Sequence, residues 1–203
     1  MKTIAIIGSC DTKYREICYM RELIEAQGVK ALVIDVATGP DPSKGYDISR
    51  EEVAESAGVS WQDMEPKSKG EKISFMTEAV AGYVEKIYQE GKIDGIVSAG
   101  GLQNTVMATA AMKRLPIGVP KVMATTVASG RKTFESIVAD KDIVTIPSIC
   151  DFTGLNLVPR CKCMCSLCRH GEKCRKATEK RKESGGGCYP DGNYQYRLLC
   201  SSG

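Results

Sequence analysis

The strongest constraint on the fold of this 203-residue chain is an alternation between short apolar runs and helix-period segments. Thr3–Ile7 (TIAII), Ala31–Val36 (ALVIDV), Gly95–Ala99 (GIVSA), Lys121–Val127 (KVMATTV) and Ile143–Ile146 (IVTI) are short runs bounded by glycine, proline, serine or charge. Apolar runs of that length with little polar alternation predict strands buried on both faces, which is the signature of a parallel sheet. Between the first two runs, Tyr14, Ile17, Cys18 and Ile24 fall near helical spacing, and Gly28 marks the stop. Ile73, Met76, Val80, Tyr83, Val84 and Ile87 form a second apolar stripe, and a third helix is expected from about Gln103 to Arg114. Residues 38–70 are rich in Gly, Pro, Ser and charge; they read as an excursion holding one short helix at about Arg50–Ala57, with Ser49 as its N-cap. Strands joined by helical crossovers predict an α/β domain over residues 1–159: a Rossmann-like, doubly wound, mostly parallel sheet with helices on both faces.

The pattern stops after Pro159. From Arg160 onward the sequence has no apolar periodicity, and its composition differs from that of the body. The tail holds ten Lys/Arg against four Asp/Glu, a net of +6, so the remaining 18 basic and 21 acidic residues leave the body at −3. Seven of the ten cysteines lie in the tail, and the body keeps Cys10, Cys18 and Cys150. The overall charge of +3 therefore does not make the body a nucleic-acid binder, and its aromatics show no interleaving with basic residues. No apolar run approaches the roughly 20 residues needed to span a bilayer, and nothing at the N-terminus resembles a signal peptide. The expectation is a cytoplasmic protein without a membrane partner.

In open α/β sheets, ligands bind outside the carboxyl ends of the strands. Three turns are expected at that edge: Gly8-Ser9-Cys10-Asp11-Thr12-Lys13, Gly100-Gly101-Leu102-Gln103-Asn104-Thr105, and Thr125 to Arg131 with Ser129-Gly130. Glycine lets backbone N–H groups approach an anion, and a following helix adds its positive N-terminal dipole. Ser9, Thr12, Asn104, Thr105 and Ser129 can donate hydrogen bonds, and Lys13 or Arg131 can neutralise phosphate. Neither glycine turn fits GxxxxGK[ST] or GxGxxG, so each taken alone reads more readily as a structural connection, and it is their number at one edge that favours a ligand. Asp35, at the end of the second run, can meet a ribose hydroxyl or act as a cap. Asp11 can hold Mg²⁺ through water or cap the first helix. Cys10 lies near a helix N-terminus, which lowers a thiol pKa, but the body has no histidine to serve as its base.

GSCDTK, LVIDV, the run ATAAMKRLPIGVPKVMATTVASG and DIVTIPSICDFTGLN together resemble the N-terminal domain of the tomato mosaic virus resistance protein-like family, over residues 1–159. The resemblance implies a Rossmann-like domain that binds ATP, in a self-associating protein that commonly continues into a second α/β domain. It carries over Gly8, Asp11, Thr12, Lys13, Gly100, Gly101, Thr105, Ser129 and Gly130. Where many members are more glycine-rich, this chain has GGLQNT, a departure that bears on phosphate contacts at Leu102, Gln103 and Asn104. Inhibition of viral RNA replication, implied for the plant relative, is not carried over.

The tail admits three readings. Cys163, Cys165, Cys168, His170 and Cys174 supply enough ligands for zinc, yet a matching second CxxC or HxxxH is missing. A disordered basic tail is a second reading. In the third, residues 160–203 are out-of-frame translation: read one nucleotide later, Cys codons followed by A become Ala or Val, the small-residue helix family members have at this point. The functional expectation is a domain that binds ATP or another nucleotide by its phosphates, with Mg²⁺, in a homo-oligomer. Its rivals are a hydrolase or ligase using ATP or an acyl-phosphate, and a zinc-dependent nucleic-acid binder built on the tail.

Overall fold

The computed structural model describes residues 1–42, 44–128 and 137–148. Ser129, Gly130, Arg131 and the whole 160–203 tail lie outside the described residues. The elements run β1 (Thr3–Gly8), α1 (Cys10–Glu25), β2 (Lys30–Asp35), α2 (Arg50–Ser56), α3 (Trp61–Met64), α4 (Lys69–Gln89), β3 (Gly95–Gly100), α5 (Leu102–Arg114), β4 (Lys121–Thr125) and β5 (Val144–Pro147).

All four strand pairings are parallel, in the order β2-β1-β3-β4-β5. This is a doubly wound α/β sheet, with the strand order of its flavodoxin-like branch. Alternation along β1 divides the core. Ala5 and Ile7 join the buried residues of α2, α3, α4 and α5 on one face. Ile4 and Ile6 face the other way, onto Ile17, Met20 and Ile24 of α1. The chain steps outward from β1 to β2, then reverses past β1 to β3. The sheet therefore has its topological switch point between β1 and β3, where a crevice opens at the carboxyl ends.

Local sequence explains the element boundaries. Ser49 caps α2, its hydroxyl accepting from the Glu52 N–H at 3.1 Å. α4 starts at Lys69, because Ser68 and Glu71 form a capping box: Ser68 Oγ accepts from the Glu71 N–H and Glu71 Oε2 from the Ser68 N–H. The excursion thus ends earlier than hydropathy suggested, and it contains a second short helix, α3. Trp61 and Met64 of α3 are buried in the core. α1 gives way at Gly28, whose φ of +71° favours glycine.

Asp11 is not the cap of α1. Ser9 occupies the cap position, and the job of a cap is done from another strand: Asp35 Oδ1, at the end of β2, accepts from the Cys10 N–H at 2.9 Å and from the Ala37 N–H at 3.1 Å. One fully buried carboxylate thereby ties the β1–α1 turn to the β2 terminus. Among the described residues, no helix is long and apolar enough to cross a membrane.

Candidate functional site

A cleft of about 510 Å³ opens at the switch point, within the range of ordinary small-molecule sites. One wall is the turn after β1, with Ser9, Asp11, Thr12 and Lys13; facing it is the turn after β3, with Gly100, Gly101, Leu102, Gln103 and Asn104. Thr38, Gly39 and Pro40, which follow β2, close one side, and Lys69 and Lys72 of the first turn of α4 also line the cleft. Two of the three expected turns therefore converge.

Other candidates are committed to packing or to internal hydrogen bonds. Gly8 does not line the cleft. A Cβ there would fall 2.5 Å from Ile17 Cδ1, so this glycine is required for close packing of α1 on β1. Gly100 lines the cleft, but a Cβ on it would lie 2.9 Å from Asn104 Cβ and Nδ2, which again sets a helix close to a strand. Thr105 is fully buried; its hydroxyl contacts the Gly101 carbonyl at 2.8 Å and Thr125 Oγ1 at 2.6 Å, linking the second turn to the end of β4. Asp35 is fully buried and not part of the lining. Burial pushes its carboxyl up to about 6, against the opposing pull of the Cys10 and Ala37 N–H groups.

Cys10 is also buried. Burial first, and then the negative Asp35 beside it, push its thiol well above the usual range, overriding the helix N-terminus. A thiol held in its neutral form is no nucleophile, and Cys10 serves the core beneath α1.

The two helix starts at the cleft differ in what they can offer an anion. In α1, the Cys10 N–H is committed to Asp35, and the Thr12 N–H reaches back to the Ser9 carbonyl at 3.3 Å. The helix is also broken at Lys13, which has φ −123° and ψ 23°. In α5, Gly101 sits at the cap position with no side-chain cap, and no described group accepts from the Leu102, Gln103 or Asn104 N–H. The second turn therefore has the more available set of orphan donors. Gln103 also donates from Nε2 to Thr38 Oγ1 at 2.8 Å, joining the α5 start to the loop after β2.

Two acceptors in the lining lack donors. Asn104, 6% exposed, places its amide NH₂ on Ser98 Oγ and on the Ala99 carbonyl, while its Oδ1 has no partner among the described residues. Asp11 Oδ1 is likewise unpartnered. Buried acceptors in native proteins nearly always find a donor, so the lining suits a ligand bringing hydroxyl donors, or a hydrated cation.

The loop side of the cleft is held by Arg50, a residue that sequence patterning did not single out. Arg50 is 4% exposed, donates from Nη1 to the carbonyls of Gly39 (2.6 Å) and Pro40 (3.3 Å), and lies 4.8 Å from the Trp61 ring centroid. Gly39 in turn abuts Asp11: a Cβ on it would fall 2.5 Å from Asp11 Oδ2. Lys69 and Lys72 were likewise missed, although the Ser68-x-x-Glu71 capping signature was available to place them on a first helical turn.

Residues 2–162 match the N-terminal domain of an uncharacterised protein family, UPF0261. A UPF0261 protein of Clostridium tetani is 36% identical over 156 residues, covering 76% of this chain and 38% of the relative. One of Rhizobium meliloti is 37% identical over 161 residues, covering 79% and 39%. The ToMV resistance protein Tm-1(GCR237) of tomato is 29% identical over 175 residues, 76% of this chain and 22% of the plant protein. The chain thus spans well under half the length of these relatives. These matches show that the chain belongs to the uncharacterised protein family UPF0261, through that family's N-terminal domain.

Proposed function

We propose that the switch-point cleft binds a nucleotide by its phosphates, with ATP as the ligand that the family resemblance favours. The observation that carries the reading is the convergence of the Ser9–Lys13 and Gly100–Asn104 turns on one cleft whose cations, Lys13, Lys69 and Lys72, outnumber its single carboxylate, Asp11. The open amides at the start of α5 suit phosphate oxygens, and Lys13 adds charge. Mg²⁺ accompanying the nucleotide would find Asp11 as its one carboxylate, which fits the way this ion is shared between a carboxylate, waters and phosphates. The same reading takes the protein as cytoplasmic and self-associating, with the remaining length of its relatives supplying a second domain.

Calorimetric titration of Mg-ATP into the full chain tests this. Saturable binding is expected, and Gly101→Val should weaken it. A Cβ at Gly101 meets nothing nearer than Thr126 Oγ1 at 3.9 Å, so the protein tolerates the first added carbon and the loss falls on the ligand. A folded wild-type chain that gives no binding heat overturns the proposal.

A further inference from the structure

The first turn of α4 faces the cleft from an element that neither glycine turn belongs to. Lys69 and Lys72 both line the cleft, and neither forms an ion pair with a described residue. The acid between them is withdrawn: Glu71 Oε2 accepts from both the N–H and the hydroxyl of Ser68, at 2.9 and 2.6 Å. Those hydrogen bonds hold the Glu71 carboxyl below its usual range, so it stays an occupied anion bound to its own cap. The turn thus offers two uncommitted ammonium groups and the positive end of a 21-residue helix to one cavity. α5, which packs against α4, brings its open amides to the same cleft, and beside them the buried, unpartnered Oδ1 of Asn104 is an acceptor suited to the hydrated cation that accompanies a polyphosphate. α1, by contrast, has spent much of its donor capacity on Asp35 and Ser9.

We infer that Lys69 and Lys72 are specificity-determining residues that make this a polyphosphate site, selecting nucleoside di- and triphosphates over monophosphates and nucleosides. The polyphosphate spans from the α5 amides to the α4 lysines rather than curling around the α1 turn. This rests on the nucleotide reading above and goes beyond it in naming the phosphate count and the residues that sense it. A single phosphate can occupy the α5 amides alone. The second and third meet the cations on α4.

The experiment titrates AMP, ADP and ATP, each with Mg²⁺, into the full-length wild type, Lys69→Gln/Lys72→Gln and Lys69→Arg/Lys72→Arg. Wild type should bind ATP roughly tenfold or more tighter than AMP; the Gln pair should lose that advantage while binding AMP as before, and the Arg pair should keep it. The ATP advantage should also shrink as salt is raised, because both lysines are reachable by solvent. A Gln pair that discriminates as wild type does, or that loses AMP and ATP equally, overturns the inference and leaves the nucleotide reading standing. A wild type that binds none of the three overturns both. Circular dichroism of each variant excludes misfolding as the cause of a loss, since both side chains lie at the surface of a capped helix.

Discussion

Substituting Gly8 separates a packing role from a ligand role, and the structure sets the size of the effect. An added Cβ would stand 2.5 Å from Ile17 Cδ1 and 2.8 Å from Ile17 Cγ1, against an ordinary carbon–carbon contact of about 3.5–4.0 Å. Ile17 is 1% exposed, wedged between α1 and the sheet, so it has little room to yield. Forcing a methyl into such a site costs about 1–3 kcal/mol. Ile17→Ala alone removes a buried side chain and should cost about 2–5 kcal/mol. In the double variant the new methyl enters space that Ile17 has vacated. The two costs should therefore sum to more than the double variant's loss, by about 1–3 kcal/mol. Urea unfolding of the four proteins measures that coupling. Additivity within about 0.5 kcal/mol would refute the packing role. Below its unfolding temperature, Gly8→Ala should bind Mg-ATP as wild type does, because Gly8 lies outside the cleft; loss of binding in a folded variant would return this glycine to the phosphate site.

Asp35 gives a pH dependence. Its carboxyl is raised from 3.8 to about 6 in the folded protein, so between those values the native state holds more protons than the unfolded state. The group's favourable contribution is complete below the lower value and is lost as pH rises through the upper one, a change of about 3 kcal/mol. Asp35→Asn keeps an acceptor for the Cys10 and Ala37 N–H groups, and should flatten the stability–pH curve over that window; an unchanged slope in chemical denaturation would contradict the assignment. Arg50→Ala should lose about 3–5 kcal/mol, since it removes three charged hydrogen bonds, to Glu51 and to the Gly39 and Pro40 carbonyls, and the Trp61 contact from a buried site. Arg50→Lys should recover only part, because an ammonium cannot reproduce the guanidinium fork. A Lys variant as stable to urea as wild type would disprove that account.

The fold was readable because buried parallel strands write themselves as unbroken apolar runs. TIAII and GIVSA were located to within a residue, and their neighbours follow the helical period. The edges were less legible. The α3 turn around Trp61 was missed because four residues carry no period, and the start of α4 was missed because its first turn is polar and only its capping box announces it. At the site, sequence brought out both glycine turns that converge on the cleft. It left Asp35 open between a ribose contact and a cap, and the structure shows capping bonds to a neighbouring turn; Gly8, read as part of a phosphate turn, also meets a close-packing requirement against Ile17. Such roles depend on which residues of another element stand opposite, and the local sequence does not carry that information. Arg50, Lys69 and Lys72 were invisible for the same reason: Arg50 holds the loop beside the cleft and the two lysines line it, from within or just after a segment that reads as a charged excursion.

The location of the ligand is the most direct test of the central claim. Amide chemical-shift mapping of the isotope-labelled chain during titration with Mg-ATP would show it. The account predicts saturable shifts at Ser9–Lys13, Thr38–Gly39, Lys69–Lys72 and Gly100–Asn104, the segments around the switch-point cleft. The opposite end of the sheet has an open depression of its own at Lys2, Gln27, Gly91 and Asp94, which should stay silent. Shifts concentrated there, with the cleft unperturbed, would contradict the account.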